Sequence, residues 1–270
     1  MPGIDVGSLH VHPVADGSAT LAAADALIYT GGRDDPWAPH AQFLNPDGTL
    51  ELALGGFLVR SGTRVILIDT GVGRIDNGVF RGGAFLTSLA ALGVMPEDVT
   101  DVVFTHLHFD HVGWATSQGA VVFPNAAYRC HAADWHHFVD GPSPEPGSVK
   151  KLSPLRDRLV PYDDDRPLLP GIDVRHAPGH TPGSTVVVIS DAGERALLLG
   201  DAVHCPIELL EPDWEFVMDV DRALAARTRE ALARELEGST VPAAGAHFPG
   251  LQFGRLLSGE GRRLWRFDGT

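Results

Sequence analysis

Apolar runs of strand length, interspersed with segments of helical spacing, predict an α+β fold for this chain, organised as one domain over residues 1–270. Three observations carry that expectation. Runs such as Val65–Ile68 and Val102–Phe104 are short, continuous and apolar, as buried strands are. Residues 221–237 place Leu224, Leu232 and Leu236 along one helical face and end at Gly238, a natural stop. No linker-like stretch divides the chain, whose length is compatible with a single large domain.

In chain order, Val6, Leu9, Val11 and Val14 alternate as in a strand that carries His10 and His12, and Asp16-Gly17 reads as the turn that ends it. Residues 18–50 mix Gly, Pro, Asp and Asn without period and read as an irregular excursion, with Trp37 and Phe43 in a flap beside a site. Phe57–Val59 and Val65–Ile68 flank Ser61-Gly62 as a hairpin. Phe85, Leu86, Leu89 and Leu92 have the spacing of a short helix stopped by Gly93. Further strands are expected at Val121–Phe123, Ile172–Val174, Thr185–Ile189 and Ala196–Leu199. Residues 141–170, rich in Pro, Asp and Ser, read as surface loop, and Leu264–Phe267 closes a sheet.

Composition narrows the function. With 44% apolar and 21% charged residues the chain has the makeup of a globular protein with a sizeable core. A formal net charge of -14 opposes general affinity for nucleic acid or an anionic membrane, because like charges repel. Cys130 and Cys205 stand 75 positions apart in no metal or redox motif and read as ordinary thiols. The first residues lack a basic segment followed by an apolar run, and no stretch is long and apolar enough to span a bilayer, so a cytoplasmic protein is expected.

The chemistry is concentrated in THLHFDHVG, directly after the Val102–Phe104 run. His106, His108, Asp110 and His111 form HxHxDH, with four possible ligands in six residues. Alternate residues of an extended segment point the same way, so His106 and His108 can converge on one ion, while a turn aims Asp110 and His111 at a second. Imidazole and carboxylate suit zinc. Later turns offer His180 in APGHTPGS, Asp201 in LLLGDAVH and His247 in AAGAHFPG. We therefore expect two divalent ions, as Zn2+. His106, His108 and His180 hold one, Asp110, His111 and His247 hold the other, and Asp201 bridges them. His131, His136 and His137 lie outside this complete set.

These four segments together resemble the metallo-β-lactamase superfamily across nearly the whole chain. The resemblance implies an αββα sandwich, with two mixed β-sheets packed face to face, helices on the outer faces, and the metals along one edge. It also implies that Asp69, in the IDTG of residues 68–71, supports the metal loop by hydrogen bonds. Within the superfamily, Asp201 stands where many true β-lactamases carry cysteine, and the chain is similar to the acyl-homoserine lactonases and methyl parathion hydrolases. The signal lactonases commonly place a tyrosine three positions after the bridging aspartate, where this chain has His204. His204 is thus either a hydrogen-bond donor to substrate or a pocket-lining residue. AHFPGLQFG resembles a stretch of the parathion hydrolase side that shapes an apolar pocket, which makes Phe248 a candidate wall. Trp114, Trp135, Phe138 and Trp214 are further candidate contacts.

The expected activity is lactone or related ester hydrolysis, in which a metal-bridging hydroxide attacks the carbonyl and Asp110 protonates the leaving alkoxide. The substrate is a small molecule, and the lactonase-like resemblance implies a homodimer. The alternatives are a phosphotriesterase or arylesterase on the same site, an iron-dependent oxidoreductase like the persulfide dioxygenases, and a metal-binding protein without turnover. Comparing lactone and phosphotriester substrates separates the first, and iron content with oxygen consumption the second.

Overall fold

The computed structural model describes residues 3–269. Two mixed sheets face each other. The first runs in the order Ala127–Arg129, Asp101–Val103, Arg64–Ile68, Thr49–Ser61, Leu9–Ala22, Phe80–Gly82, Ile75–Asp76, with Ile4–Val6 added beside Leu9–Ala22. Its first three strands are parallel and the rest antiparallel. The second runs Arg166–Leu169, Ile172–His176, Thr185–Asp191, Glu194–Leu198, Ala243–Ala244, Gly254–Gly259, Arg262–Phe267, with a parallel pairing only between Glu194–Leu198 and Ala243–Ala244.

Period-two alternation explains why the layers stack. Val59, Ile66, Ile68 and Val103 project from one face of the first sheet and meet Val174, Val187, Ile189 and Leu198 of the second in a shared apolar interior. The alternate residues Leu58, Leu67 and Val102 project outward, where Phe85 and Leu89 of helix Phe85–Ala91 cover them. On the far side, Val186, Val188 and Leu197 pack against Leu232, Ala233 and Leu236 of helix Arg222–Leu236. The result is the αββα sandwich that the resemblance implied.

Several local expectations need correction. Asp16-Gly17 does not end a strand: Leu9–Ala22 continues through it, with the register slipping between Ala15 and Gly17. A Cβ on Gly17 would lie 1.8 Å from the Arg81 carbonyl oxygen, so the glycine is there for close strand approach. Asp16 is buried and accepts hydrogen bonds from the amides of Val72, Gly73, Gly83 and Phe85 and from the Trp114 indole. Residues 18–50 are only partly irregular, since they include the end of that strand, a helical turn Ala23–Ala26 and the strand Leu27–Tyr29. Residues 141–170 likewise contain helix Pro146–Leu152 and strand Arg166–Leu169. Local composition signalled loops at these places, whereas tertiary packing set the outcome. Among the described residues no helix is long and apolar enough to cross a membrane.

Candidate metal centre

The cluster forms where strand ends meet at one edge of the sandwich. Asp69 follows strand Arg64–Ile68, and His106 to His111 follow Asp101–Val103, its parallel neighbour. His180 lies between Ile172–His176 and Thr185–Asp191, Asp201 follows Glu194–Leu198, and His247 follows Ala243–Ala244. Gly200 makes the sharp exit from its strand at φ +53°, and a Cβ there would meet Thr105 at 2.8 Å.

All seven residues expected as ligands come together. His106 Nε2 lies 3.0 Å from His108 Nδ1, which is 2.9 Å from His180 Nε2. Asp110, His111 and His247 form a second group, with His247 Nε2 3.6 Å from Asp110 Oδ2 and His111 Nε2 4.0 Å from Asp110 Oδ1. Asp201 sits between the groups. Its Oδ1 is 3.3 Å from His111 Nε2, and its Oδ2 is 3.0 Å from His247 Nε2, 3.5 Å from His180 Nε2 and 3.7 Å from His106 Nε2.

The arrangement fits divalent cations. A tetrahedral ion with ligand bonds of about 2.0–2.1 Å separates its donors by roughly 3.3 Å, close to the spacings above. Buried His111 Nε2 and Asp201 Oδ1 face each other at 3.3 Å but neither has a hydrogen-bond partner of good geometry, a deficit that a shared cation would satisfy. The outer partners also fix the tautomers. A carboxylate or carbonyl oxygen only accepts, so Nδ1 of His111 donates to Asp69 Oδ2 (2.9 Å), Nδ1 of His180 to Asp219 Oδ1 (3.1 Å), and Nδ1 of His247 to the Ala53 carbonyl (2.8 Å). In the neutral ring each bond leaves Nε2 as the nitrogen that can ligate a cation, although His247 Nε2 here hydrogen-bonds Asp201 Oδ2 at 3.0 Å.

Electrostatics distinguish the two groups. Burial lowers the pKa values of His106, His108 and His180, and neighbouring imidazoles add to the shift at His106 and His108, favouring the neutral form that a cation needs. At His111 and His247 burial is again the largest influence and acts the same way, but the carboxylates together outweigh it and raise both: Asp201, Asp69 and Asp110 at His111, and Asp201 with Asp110 at His247. Burial pushes Asp201 up, yet His111, His247, His106 and His204 together hold it well below the ordinary carboxylate range.

A layer of buried carboxylates behind the cluster had no signal in the sequence beyond the IDTG aspartate. Asp69, at φ +61°, accepts from the amide and hydroxyl of Thr105 as well as from His111. Asp134 accepts from the Leu107 amide at 3.0 Å and the Gly183 amide at 2.6 Å, joining the HxHxDH loop to the loop of His180. Its burial raises its pKa to about 6. Asp219 and Glu208 were likewise not anticipated.

His204, expected in one of two roles, lies on the narrow gap bordered by Phe43, Cys205 and His247, behind Asp201. It is fully buried, stacked on Phe216 with ring centroids 3.4 Å apart, and its nitrogens face Asp201 Oδ2 at 3.4 Å and Glu208 Oε2 at 3.5 Å. Burial opposes its protonation, but Asp201 and Glu208 outweigh that and raise its pKa to about 9. Phe248 is displaced from its expected role: it is buried against Trp265 in the core under helix Arg222–Leu236. Of the four other aromatic candidates, Phe138 reaches the cluster, edge-on to His108 at 5.2 Å. Trp114 is tied to Asp16, Trp135 to Asp140, and Trp214 packs with Tyr29 and Trp37. Phe109 was missed; it is 49% exposed and meets Phe80 edge-on at 5.1 Å. Phe43 borders a narrow gap with His204, Cys205 and His247. His131 caps helix Ala132–Trp135 and stacks on His176, while His136 and His137 are exposed.

Comparison with known proteins agrees with this architecture. The family model for the metallo-beta-lactamase superfamily matches residues 56–247. An N-acyl homoserine lactonase of a Bacillus species is 27% identical over 71% of this chain and 81% of its own length. The Homo sapiens metallo-beta-lactamase domain-containing protein 1 is 34% identical over 67% of this chain and 59% of its own length. The solved structure of AidC, a dizinc quorum-quenching lactonase in complex with a product, superposes with a TM-score of 0.84 at 26% identity, covering 99% of this chain and 97% of that one. The chain belongs to the metallo-beta-lactamase superfamily, and its site is that of a metal-dependent hydrolase.

Proposed function

We propose that this protein opens a lactone or a related small ester at a dinuclear centre, with His106, His108 and His180 on one cation, Asp110, His111 and His247 on the other, and Asp201 shared. The observation that carries this reading is the convergence of seven possible ligand residues around buried His111 Nε2 and Asp201 Oδ1, neither of which has a hydrogen-bond partner. Zinc is the metal best matched to this donor set. Two such ions lower the pKa of water to give a nucleophile at neutral pH and stabilise developing negative charge on oxygen.

The protein's own groups do the rest. The cluster meets solvent at His108, Phe109 and Asp110, whereas His106, His111 and His180 are buried. Substrate therefore enters beside Phe109, whose exposed ring offers an apolar wall to the hydrocarbon part of an ester, while Phe138 is buried behind His108. Asp110 has the most exposed carboxylate of the cluster, with its side chain 12% accessible, and stands where it can take the proton given up by the attacking water and pass it to the leaving alkoxide. The lactonases among its relatives and neighbours favour a lactone as the ester.

The test is a panel of γ-lactones, δ-lactones, aryl esters and phosphotriesters, offered to native, chelated and zinc-restored protein. Chelator-sensitive turnover fastest on lactones supports the reading. Preference for phosphotriesters would move the activity to that class, and oxygen consumption with iron and no hydrolysis would overturn it.

A further inference from the structure

Behind Asp201 and His180 the buried charged groups close into a ring. From Asp201 Oδ2 it passes to His204 Nε2 at 3.4 Å, then from His204 Nδ1 to Glu208 Oε2 at 3.5 Å. Glu208 Oε1 lies 3.5 Å from Arg229 Nη1, which is 2.9 Å from Asp219 Oδ2. Asp219 Oδ1 accepts from His180 Nδ1 at 3.1 Å, and His180 Nε2 returns to Asp201 Oδ2 at 3.5 Å. Every member is buried.

Local structure holds the ring from several elements. Glu208, on the short helix Ile207–Leu210, also accepts from the amides of His204 and Cys205, which fixes the turn after Asp201. Arg229 projects from helix Arg222–Leu236, and its ion pairs are with Glu208 and Asp219. Phe216 fills one side, stacked on His204 and tilted against His180 at 5.7 Å. The amides of Val220 and Asp221 bind the carbonyls of His180 and Gly179, so the segment carrying Asp219 lies along the His180 loop.

Buried charge at this density is costly unless each group faces an opposite one. Arg229 is the cation common to Glu208 and Asp219; without it the two carboxylates would have only the histidines of the ring opposite them. Both contacts fall on Nη1, which donates to Asp219 Oδ2 and faces Glu208 Oε1, so one nitrogen of the permanently charged guanidinium lies against both carboxylates.

We infer that the ring His204–Glu208–Arg229–Asp219 is a positioning network that fixes Asp201 relative to His180, with Arg229 as its keystone. This rests on the dinuclear reading above. Because the ring ends on Asp201 and His180, it governs chiefly the ion of His106, His108 and His180. His204 then acts through Asp201 and not on substrate, which accounts for its complete burial.

The test titrates metal-free protein with Co2+ and follows both stoichiometry and the visible ligand-field spectrum, for wild type, Arg229→Met, Arg229→Lys and Glu208→Gln. Loss of supporting partners of metal ligands typically weakens metal affinity roughly 10- to 100-fold. The expected result is a loss of that size in Arg229→Met, falling on one of the two equivalents and accompanied by an altered spectrum, with part recovered in Arg229→Lys. Glu208→Gln, nearly isosteric, shows the same selective loss and decides the matter should Arg229→Met not fold. Folded variants with wild-type affinity and spectrum, or equal weakening of both ions, would overturn the inference. Wild type taking up fewer than two Co2+ would instead count against the dinuclear reading, and the variants would still report on the ion that binds.

Discussion

Asp69 and His111 are 42 positions apart in sequence, yet Asp69 Oδ2 accepts from His111 Nδ1 at 2.9 Å while the same carboxylate holds the amide and hydroxyl of Thr105. One buried aspartate thus sets the tautomer of a proposed metal ligand and the start of the loop that carries it. Its left-handed backbone, φ +61°, places the carboxylate under that loop.

Asp69→Asn tolerates the same backbone but presents an amide where two acceptors are needed. We expect zinc affinity to fall roughly 10- to 100-fold with little loss of secondary structure. Competition with a chromophoric chelator measures it; an unchanged affinity would contradict the assigned role.

Asp134→Asn tests the tie between the HxHxDH loop and the His180 loop. The amide can accept only one of the Leu107 and Gly183 N–H groups well and turns its own donors toward the other. A buried group left unpaired costs about 1–3 kcal/mol, read as a lower midpoint in denaturant. A midpoint equal to wild type would show that the loops are held together otherwise.

Asp110→Asn keeps an oxygen for a cation but cannot give up a proton. General acid catalysis contributes roughly 10²- to 10⁴-fold, so kcat on lactones should drop by that order with both metals retained. Aryl esters, whose phenolate leaves without protonation, should lose less. Equal losses on both substrates would place Asp110 in binding alone.

Away from the site, Glu230 on helix Arg222–Leu236 pairs with Arg263 at 2.8 Å and with Arg234 at 2.8 Å, fastening the helix to the last strand. The Arg263 hydrogen bonds, reinforced by Arg234, outweigh partial burial and lower its pKa to about 2 from an ordinary 4.5. A depressed carboxylate pKa contributes stability above the unfolded value, and that contribution fades as pH falls from 4.5 towards 2. The group is partly solvent-screened, so its worth is about 1 kcal/mol or less. Denaturant midpoints for Glu230→Gln should fall below wild type at pH 7, with the gap narrowing below pH 4.5 and closing near pH 2. A gap that widens on acidification would contradict the sign.

The site was more legible in the sequence than the fold around it, for a physical reason. Metal chemistry demands particular residue types, and a short loop can supply several, so HxHxDH stands out by its spacing alone. His180, Asp201 and His247 are distinguished by falling at turns after apolar runs. The supporting groups carry no such mark. Asp16 and Trp114 meet across 98 positions, and Asp134 and Gly183 across 49. Asp16-Gly17 has the composition of a turn, but the long strand passes through it because Arg81 needs the room beside Gly17. His204, three residues after Asp201, reads in the sequence as either a donor to substrate or a pocket-lining residue. Glu208, four residues on, and Phe216 enclose it. Phe248 followed His247 into the expected pocket but faces the other way, towards Trp265.

The most direct test of the account is the metal content of the native protein, measured after exhaustive dialysis and again after zinc titration of the chelated form. The account predicts two zinc ions per chain at saturation, with zinc removal lowering the unfolding temperature because binding to the folded state alone stabilises it. Saturation at one ion or none, or an unfolding temperature indifferent to zinc, would contradict the shared centre built on His106, His108, Asp110, His111, His180, Asp201 and His247.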